Sequence, residues 1–148
     1  MSEQSSLPVP VNIAVVEAEK TAVILSEHYP DCLWLASGGL EALRPELLFP
    51  LRGHRIILFP DTDETCTAYF RWYQVAHEAS RLLGHPVYVS PLLEQRATPA
   101  QKRHKIDLVD FLFPPPLFAR RFHPVCTLQT PRLQPPSIPS HRSHRSHR

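Results

Sequence analysis

No stretch of this chain approaches the roughly 18 consecutive apolar residues of a membrane-spanning helix, so no attachment of that kind is expected. The first ten residues lack both a basic start and an apolar core, so they do not read as a secretory signal. A cytoplasmic protein is the simplest expectation. Cysteine is scarce, and Cys32, Cys66 and Cys126 lie far apart with no CxxC pair. They offer neither a disulfide framework nor a zinc site. His28, His54, His77, His85 and His104 show no HxH or HExxH spacing, which leaves zinc without support. From Pro114 onward there is no acid and no lysine.

That last absence divides the chain. Six arginines (120, 121, 132, 142, 145 and 148) fall in the final segment, leaving ten basic residues against 14 acids in residues 1–113. The overall charge of +2 therefore conceals a body of −4 and a basic tail. Proline, arginine, histidine and serine dominate the tail, which ends in three Ser-His-Arg repeats over residues 140–148. Such a composition cannot bury enough apolar surface to offset chain entropy, so disorder is expected there. The expected organisation is an N-terminal extension (1–10), one domain (11–113) and the tail (114–148).

Hydrophobic residues make up 43% of the chain, enough for a core. Val11–Val16 reads as a β-branched strand, and Ala18–His28 as a helix that Tyr29-Pro30 ends. Cys32–Ala36 is a second strand followed by a Ser37-Gly38-Gly39 turn, and Leu40–Leu48 a short helix interrupted near Pro45. Ile56–Phe59 is an all-apolar third strand. Thr65–Leu83 carries a 3-4 stripe through Ala68, Tyr69, Trp72, Val75, Ala76 and Ala79, and Gly84 stops it. His85–Ser90 reads as a fourth strand, Pro91–Ala97 as a connection, and Thr98-Pro99 as the capped start of another helix. Strand and helix alternate throughout, the pattern of an α/β domain with a four-stranded, mainly parallel sheet and helices on both faces.

Acidic residues fall just past these strands. Glu17 follows the first, Asp61 and Asp63 follow the third, and Asp107 and Asp110 come late. Ligands of open α/β sheets sit beyond the carboxyl ends of the strands, and carboxylates are the hard oxygen ligands that Mg²⁺ or Mn²⁺ prefers. Two like charges 4 Å apart repel by about 4 kcal/mol at an effective dielectric of 20. A cluster of them calls for a divalent cation or a shifted protonation. The chemistry favoured is metal-assisted phosphoryl transfer or phosphodiester cleavage. Plainer roles stand beside this one: Asp63 as a helix cap, Glu17 as an exposed strand end, Asp107 and Asp110 as one solvated helix face, and Trp34, Tyr69 and Trp72 as core.

Val15-Val-Glu17-Ala-Glu-Lys20, Phe59-Pro-Asp61-Thr-Asp63 and Lys105-Ile-Asp107-Leu-Val-Asp110 together resemble the Toprim family. That family is shared by bacterial-type primases, topoisomerases and old-type nucleases, and the likeness is to its phage and mobile-element primase branch. It covers about residues 11–113 and implies a compact Rossmann-like domain. It also implies Glu17 as general acid/base and Glu17, Asp61, Asp63 and Asp107 as ligands of Mg²⁺ or Mn²⁺. Lys20 and Lys105 become candidate phosphate contacts, and single-stranded DNA or replication proteins the expected partners. Ala18 stands where the family usually has glycine, and no glycine follows Asp63. A catalytically silent module of the same fold, binding DNA or a replication partner, is the rival expectation. An acidic-pocket receiver domain is a third, disfavoured because Ala18 stands where its first strand should continue with a second acid.

Overall fold

The computed structural model describes residues 10–114. The tail from residue 115, Cys126, the six late arginines and residues 1–9 of the N-terminal extension lie outside the described residues. Within them four strands form one sheet: β1 (Asn12–Val16), β2 (Cys32–Ala36), β3 (Arg55–Leu58) and β4 (Val87–Val89). Their order is β2-β1-β3-β4, and every pairing is parallel. The fold is α/β, as the alternation of periods predicts.

Helices cover both faces of the sheet. On one face, α2 (Thr67–Leu83) and a 3-10 helix (Pro45–Leu51) enclose Ile13, Val15, Ile56, Leu58, Val87 and Val89. Trp72, fully buried in the N-terminal half of α2, donates its indole N–H to the Leu40 carbonyl at 3.2 Å. On the other face lie α1 (Glu19–His28), α3 (Leu92–Arg96) and α5 (Leu108–Leu112), while α4 (Pro99–Arg103) contributes no buried residue. Ala14 and Val16 of β1 pack here with Leu25, Phe59, Leu93 and Leu108. Alternation along β1 thus feeds two cores at once, which is why its four apolar residues are all buried.

Several boundaries differ from the sequence reading, each for a local reason. The helix expected over Leu40–Leu48 is instead a 3-10 turn from Pro45 to Leu51 with Pro50 inside it, because a proline without N–H cannot carry the α-helical ladder. Helix α2 begins at Thr67 and not Thr65, since Cys66 turns into the left-handed region (φ 57°). The presumed connection Pro91–Ala97 contains α3. Asp107 and Asp110 do not share a helix face: Asp107 precedes α5 as its N-cap, and its side chain accepts the Asp110 N–H at 2.8 Å.

Candidate functional site

The connections from β1 to β2 and from β3 to β4 leave in opposite directions along the sheet. The gap between the carboxyl ends of β1 and β3 is therefore the switch point, where parallel sheets open a crevice. Val15 sits opposite Leu58, and the Phe59 N–H donates to the Val15 carbonyl at 2.8 Å. The two chain segments consequently leave the sheet side by side, one carrying Glu17 and the other Asp61. A crevice of about 550 Å³ opens there, with Glu17, Asp61, Asp63, Lys102, Arg103 and Lys105 among its lining residues.

Glu17 is half-buried, and its Oε1 accepts the Asp61 backbone N–H at 3.2 Å. That contact pins the end of β1 to the loop after β3, across 44 residues of chain. Burial pushes the Glu17 carboxyl up, the Asp61 N–H opposes this, and the charge of Asp63 adds to it.

Asp61 is the most perturbed group of the site. Its carboxylate has no hydrogen-bond donor among the described residues. Burial, then the charges of Glu17, Asp107 and Asp110, push its pKa up from 3.8 to about 8. Every charged neighbour that shifts it is an acid.

Asp63 is the opposite case. Its carboxylate accepts the N–H groups of Thr65, Thr67 and Ala68 and the Thr65 hydroxyl, at 2.8–3.0 Å. Burial would raise its pKa, but these bonds outweigh burial and hold it at about 2. Asp63 therefore caps the first turn of α2, as the plainer sequence reading allowed, while still facing the crevice.

Asp107 is also committed. One oxygen accepts the hydroxyl of the fully buried Thr21, 86 residues away, and the other caps α5. Asp110 lies in the first turn of α5, half-buried, and its charge reaches Asp61. Lys105 is exposed on the crevice wall in a left-handed backbone conformation (φ 49°). Such geometry is uncommon outside glycine, asparagine and aspartate. Lys20 is exposed in the first turn of α1 and is not among the crevice residues. Thus Glu17, Asp61, Asp63 and Lys105 share one hollow, Asp107 stands behind it as a structural anchor that Asp61 feels, and Lys20 lies elsewhere.

Sequence reasoning passed over Glu94, which stands in α3 beside this loop. It accepts the buried Thr62 hydroxyl at 2.8 Å and the Lys102 ammonium at 2.7 Å. A five-residue helix has too few positions for periodicity to reveal it. The one available signal was Thr62 itself, a hydroxyl set between two acids.

Among the described residues no three His, Cys, Asp or Glu side chains are gathered as a ready-made metal cage. Mg²⁺ does not require one. It keeps much of its water and is commonly held by one or two carboxylates together with substrate phosphates. Glu17 and Asp61, adjacent and with the Asp61 carboxylate lacking a donor among the described residues, fit that mode.

A family model described as a domain of unknown function, DUF6371, matches residues 6–62. That match spans β1, α1, β2 and β3 and includes Glu17 and Asp61. No curated protein and no solved structure matches the chain.

Proposed function

We propose that this is a Toprim-like domain that binds Mg²⁺ or Mn²⁺ at Glu17 and Asp61 and acts on nucleic-acid phosphates. Primase-related nucleotidyl transfer or phosphodiester hydrolysis, in replication or mobile-element biology, is the chemistry this reading assigns. The observation that carries it is Asp61, a largely buried carboxyl with no donor among the described residues, influenced by the charges of Glu17, Asp107 and Asp110. An arrangement of that kind is destabilising unless a cation or a proton resides there. When bound, the cation supplies charge stabilisation for the attacking and leaving oxygens.

The chain's own residues would do the rest. Asp61 and Glu17 hold the cation side of the crevice. Glu17, pushed upward by burial, is suited to take a proton from an attacking hydroxyl and return it to a leaving oxygen. Arg103 and Lys105, which line the same crevice, meet phosphate oxygens. Single-stranded DNA is the partner this reading favours. A body charge of −4 contributes little to DNA affinity, so the arginine-bearing tail or a replication protein would supply the remainder. Among the described residues no helix is long and apolar enough to cross a membrane; this reading places the protein in the cytoplasm.

One observation favours a second reading, the catalytically silent module. Among the described residues the Asp63 carboxylate is taken up by Thr65 and by the first turn of α2, which commits one carboxylate away from metal chemistry. Mn²⁺ titration with an assay on a single-stranded template with nucleotides separates the two, with Asp61→Asn as control. Metal-dependent turnover lost in the variant supports the enzyme. Metal binding without turnover supports the silent module, and turnover unchanged in the variant removes this crevice from the mechanism.

A further inference from the structure

Glu94 gathers three donors on one carboxylate. Thr62 donates its hydroxyl to Oε1 at 2.8 Å, while the Cys66 thiol at 3.0 Å and the Lys102 ammonium at 2.7 Å meet Oε2. The pair is sheltered, with the Lys102 side chain 20% exposed and that of Glu94 12%. Burial pushes the Glu94 carboxyl up, but the bonds from Cys66, Lys102 and Thr62 outweigh it and hold it below its usual range. The bond to Glu94 raises Lys102 correspondingly. Both groups are therefore ionised at neutral pH and answer each other.

Lys102, Arg103 and Lys105 all line the crevice. Their situations differ. Arg103 and Lys105 have no side-chain partner among the described residues, whereas Lys102 is held by Glu94. The position of α4 does not depend on that pair alone. Thr98 and Gln101 form a reciprocal capping box at its start, and the Thr62 N–H donates to the Ile106 carbonyl at 3.1 Å just beyond its end. Removing the Glu94 charge thus changes the electrostatics of the wall more than its geometry.

We infer that Glu94 is a specificity-determining residue: it withholds Lys102 and leaves Arg103 and Lys105 as the two cations presented to a phosphate chain. Without its charge the crevice gains a third cation and holds more highly charged polyanions. This rests on the phosphate reading of the crevice given above.

The test uses the full chain, inorganic tripolyphosphate and Mn²⁺, with binding followed by calorimetry at two salt concentrations. Glu94→Gln keeps an acceptor for Thr62 while releasing Lys102. It is expected to tighten tripolyphosphate binding about fivefold, the order expected of one unit charge at roughly 8–10 Å in a wet crevice. It should also steepen the salt dependence. Lys102→Met in the wild-type background leaves the Glu94 charge unanswered on the wall and should weaken binding by a similar factor of about five. The same change in the Glu94→Gln background should abolish the gain, and Arg103→Met should weaken binding in both.

Acetylation by acetic anhydride, read by mass spectrometry, supplies a second measurement. Lys102 should be protected relative to Lys105 in the wild type and labelled like it in Glu94→Gln. A Glu94→Gln gain that survives Lys102→Met, weaker binding by Glu94→Gln, or equal labelling of Lys102 and Lys105 in the wild type overturns the inference. If no variant binds tripolyphosphate while Lys102 remains protected, the phosphate reading of the crevice fails and takes this inference with it.

Discussion

Replacing Asp61 with asparagine should stabilise this protein at alkaline pH, an unusual outcome for a change at a largely buried polar position. The folded-state pKa of Asp61 is raised from 3.8 to about 8. Between those values the native state keeps a proton that the unfolded chain has released, so stability falls as pH rises through the window. At about 1.4 kcal/mol per pH unit, the ceiling on this penalty above pH 8 is ~6 kcal/mol. The crevice is open to water, which screens the charges and brings the expected gain for Asp61→Asn to about 1–3 kcal/mol. Asparagine has nearly the same shape, carries no charge and offers an N–H₂ to the surrounding acids. Urea unfolding at pH 5, 7 and 9 provides the measurement. The wild type should lose stability across this range more steeply than the variant, and the variant should be the more stable at pH 9. Adding Mg²⁺ at ten times its Kd should recover about 1.4 kcal/mol in the wild type and nothing in the variant. A variant less stable than the wild type at pH 9, or parallel pH profiles, would refute the reasoning about Asp61.

Asp63 carries the opposite sign. Its pKa is depressed to about 2, so its contribution is present above pH 3.8 and lost as pH falls through about 2. Asp63→Ala removes the acceptor for three backbone N–H groups and should cost about 1–2 kcal/mol at pH 7, measured by urea unfolding. Thr21→Val keeps the buried shape but removes the hydroxyl that Asp107 accepts; a loss of about 1–2 kcal/mol is expected, with m-value unchanged. Trp72→Ala, at the centre of the larger core, should cost about 3–5 kcal/mol and lower the thermal midpoint accordingly. Deleting residues 115–148 removes six arginines and should reduce both the affinity for single-stranded DNA and its salt slope, followed by fluorescence anisotropy.

The strands and the long helix were legible because their signals are long and unmixed. β3 is apolar after its first residue, Arg55, and the stripe from Ala68 to Ala79 repeats over three turns of α2. The approach of Glu17 to Asp61 was legible for a topological reason: both follow strands of one parallel sheet, and β1 and β3 prove to be neighbours. What the letters did not disclose is how each carboxylate is engaged. Asp63 and Asp107 read as ligands, yet each serves a helix terminus through backbone N–H groups whose positions depend on where α2 and α5 begin. Asp107 further depends on Thr21, a contact no local pattern encodes. The spacing Asp107-x-x-Asp110 is compatible with a helix cap as well as with a metal pair, and sequence alone does not choose between them. Asp110, left without a firm role by sequence, faces the Asp61 cluster from α5.

β1 has paired neighbours on both sides, and four of its five residues are buried. Its amides should be among the last to exchange with solvent. Arg103 and Lys105, by contrast, ride on a five-residue helix with no buried residue and on the turn after it. The hollow is therefore mechanically lopsided, with an anchored acidic jaw and a compliant basic one. A bulkier guest would be accommodated by displacing the cationic side while the carboxylates stay in register; under the function proposed above, selectivity for a cation and tolerance for the remainder of the guest would then reside in separate parts of the fold.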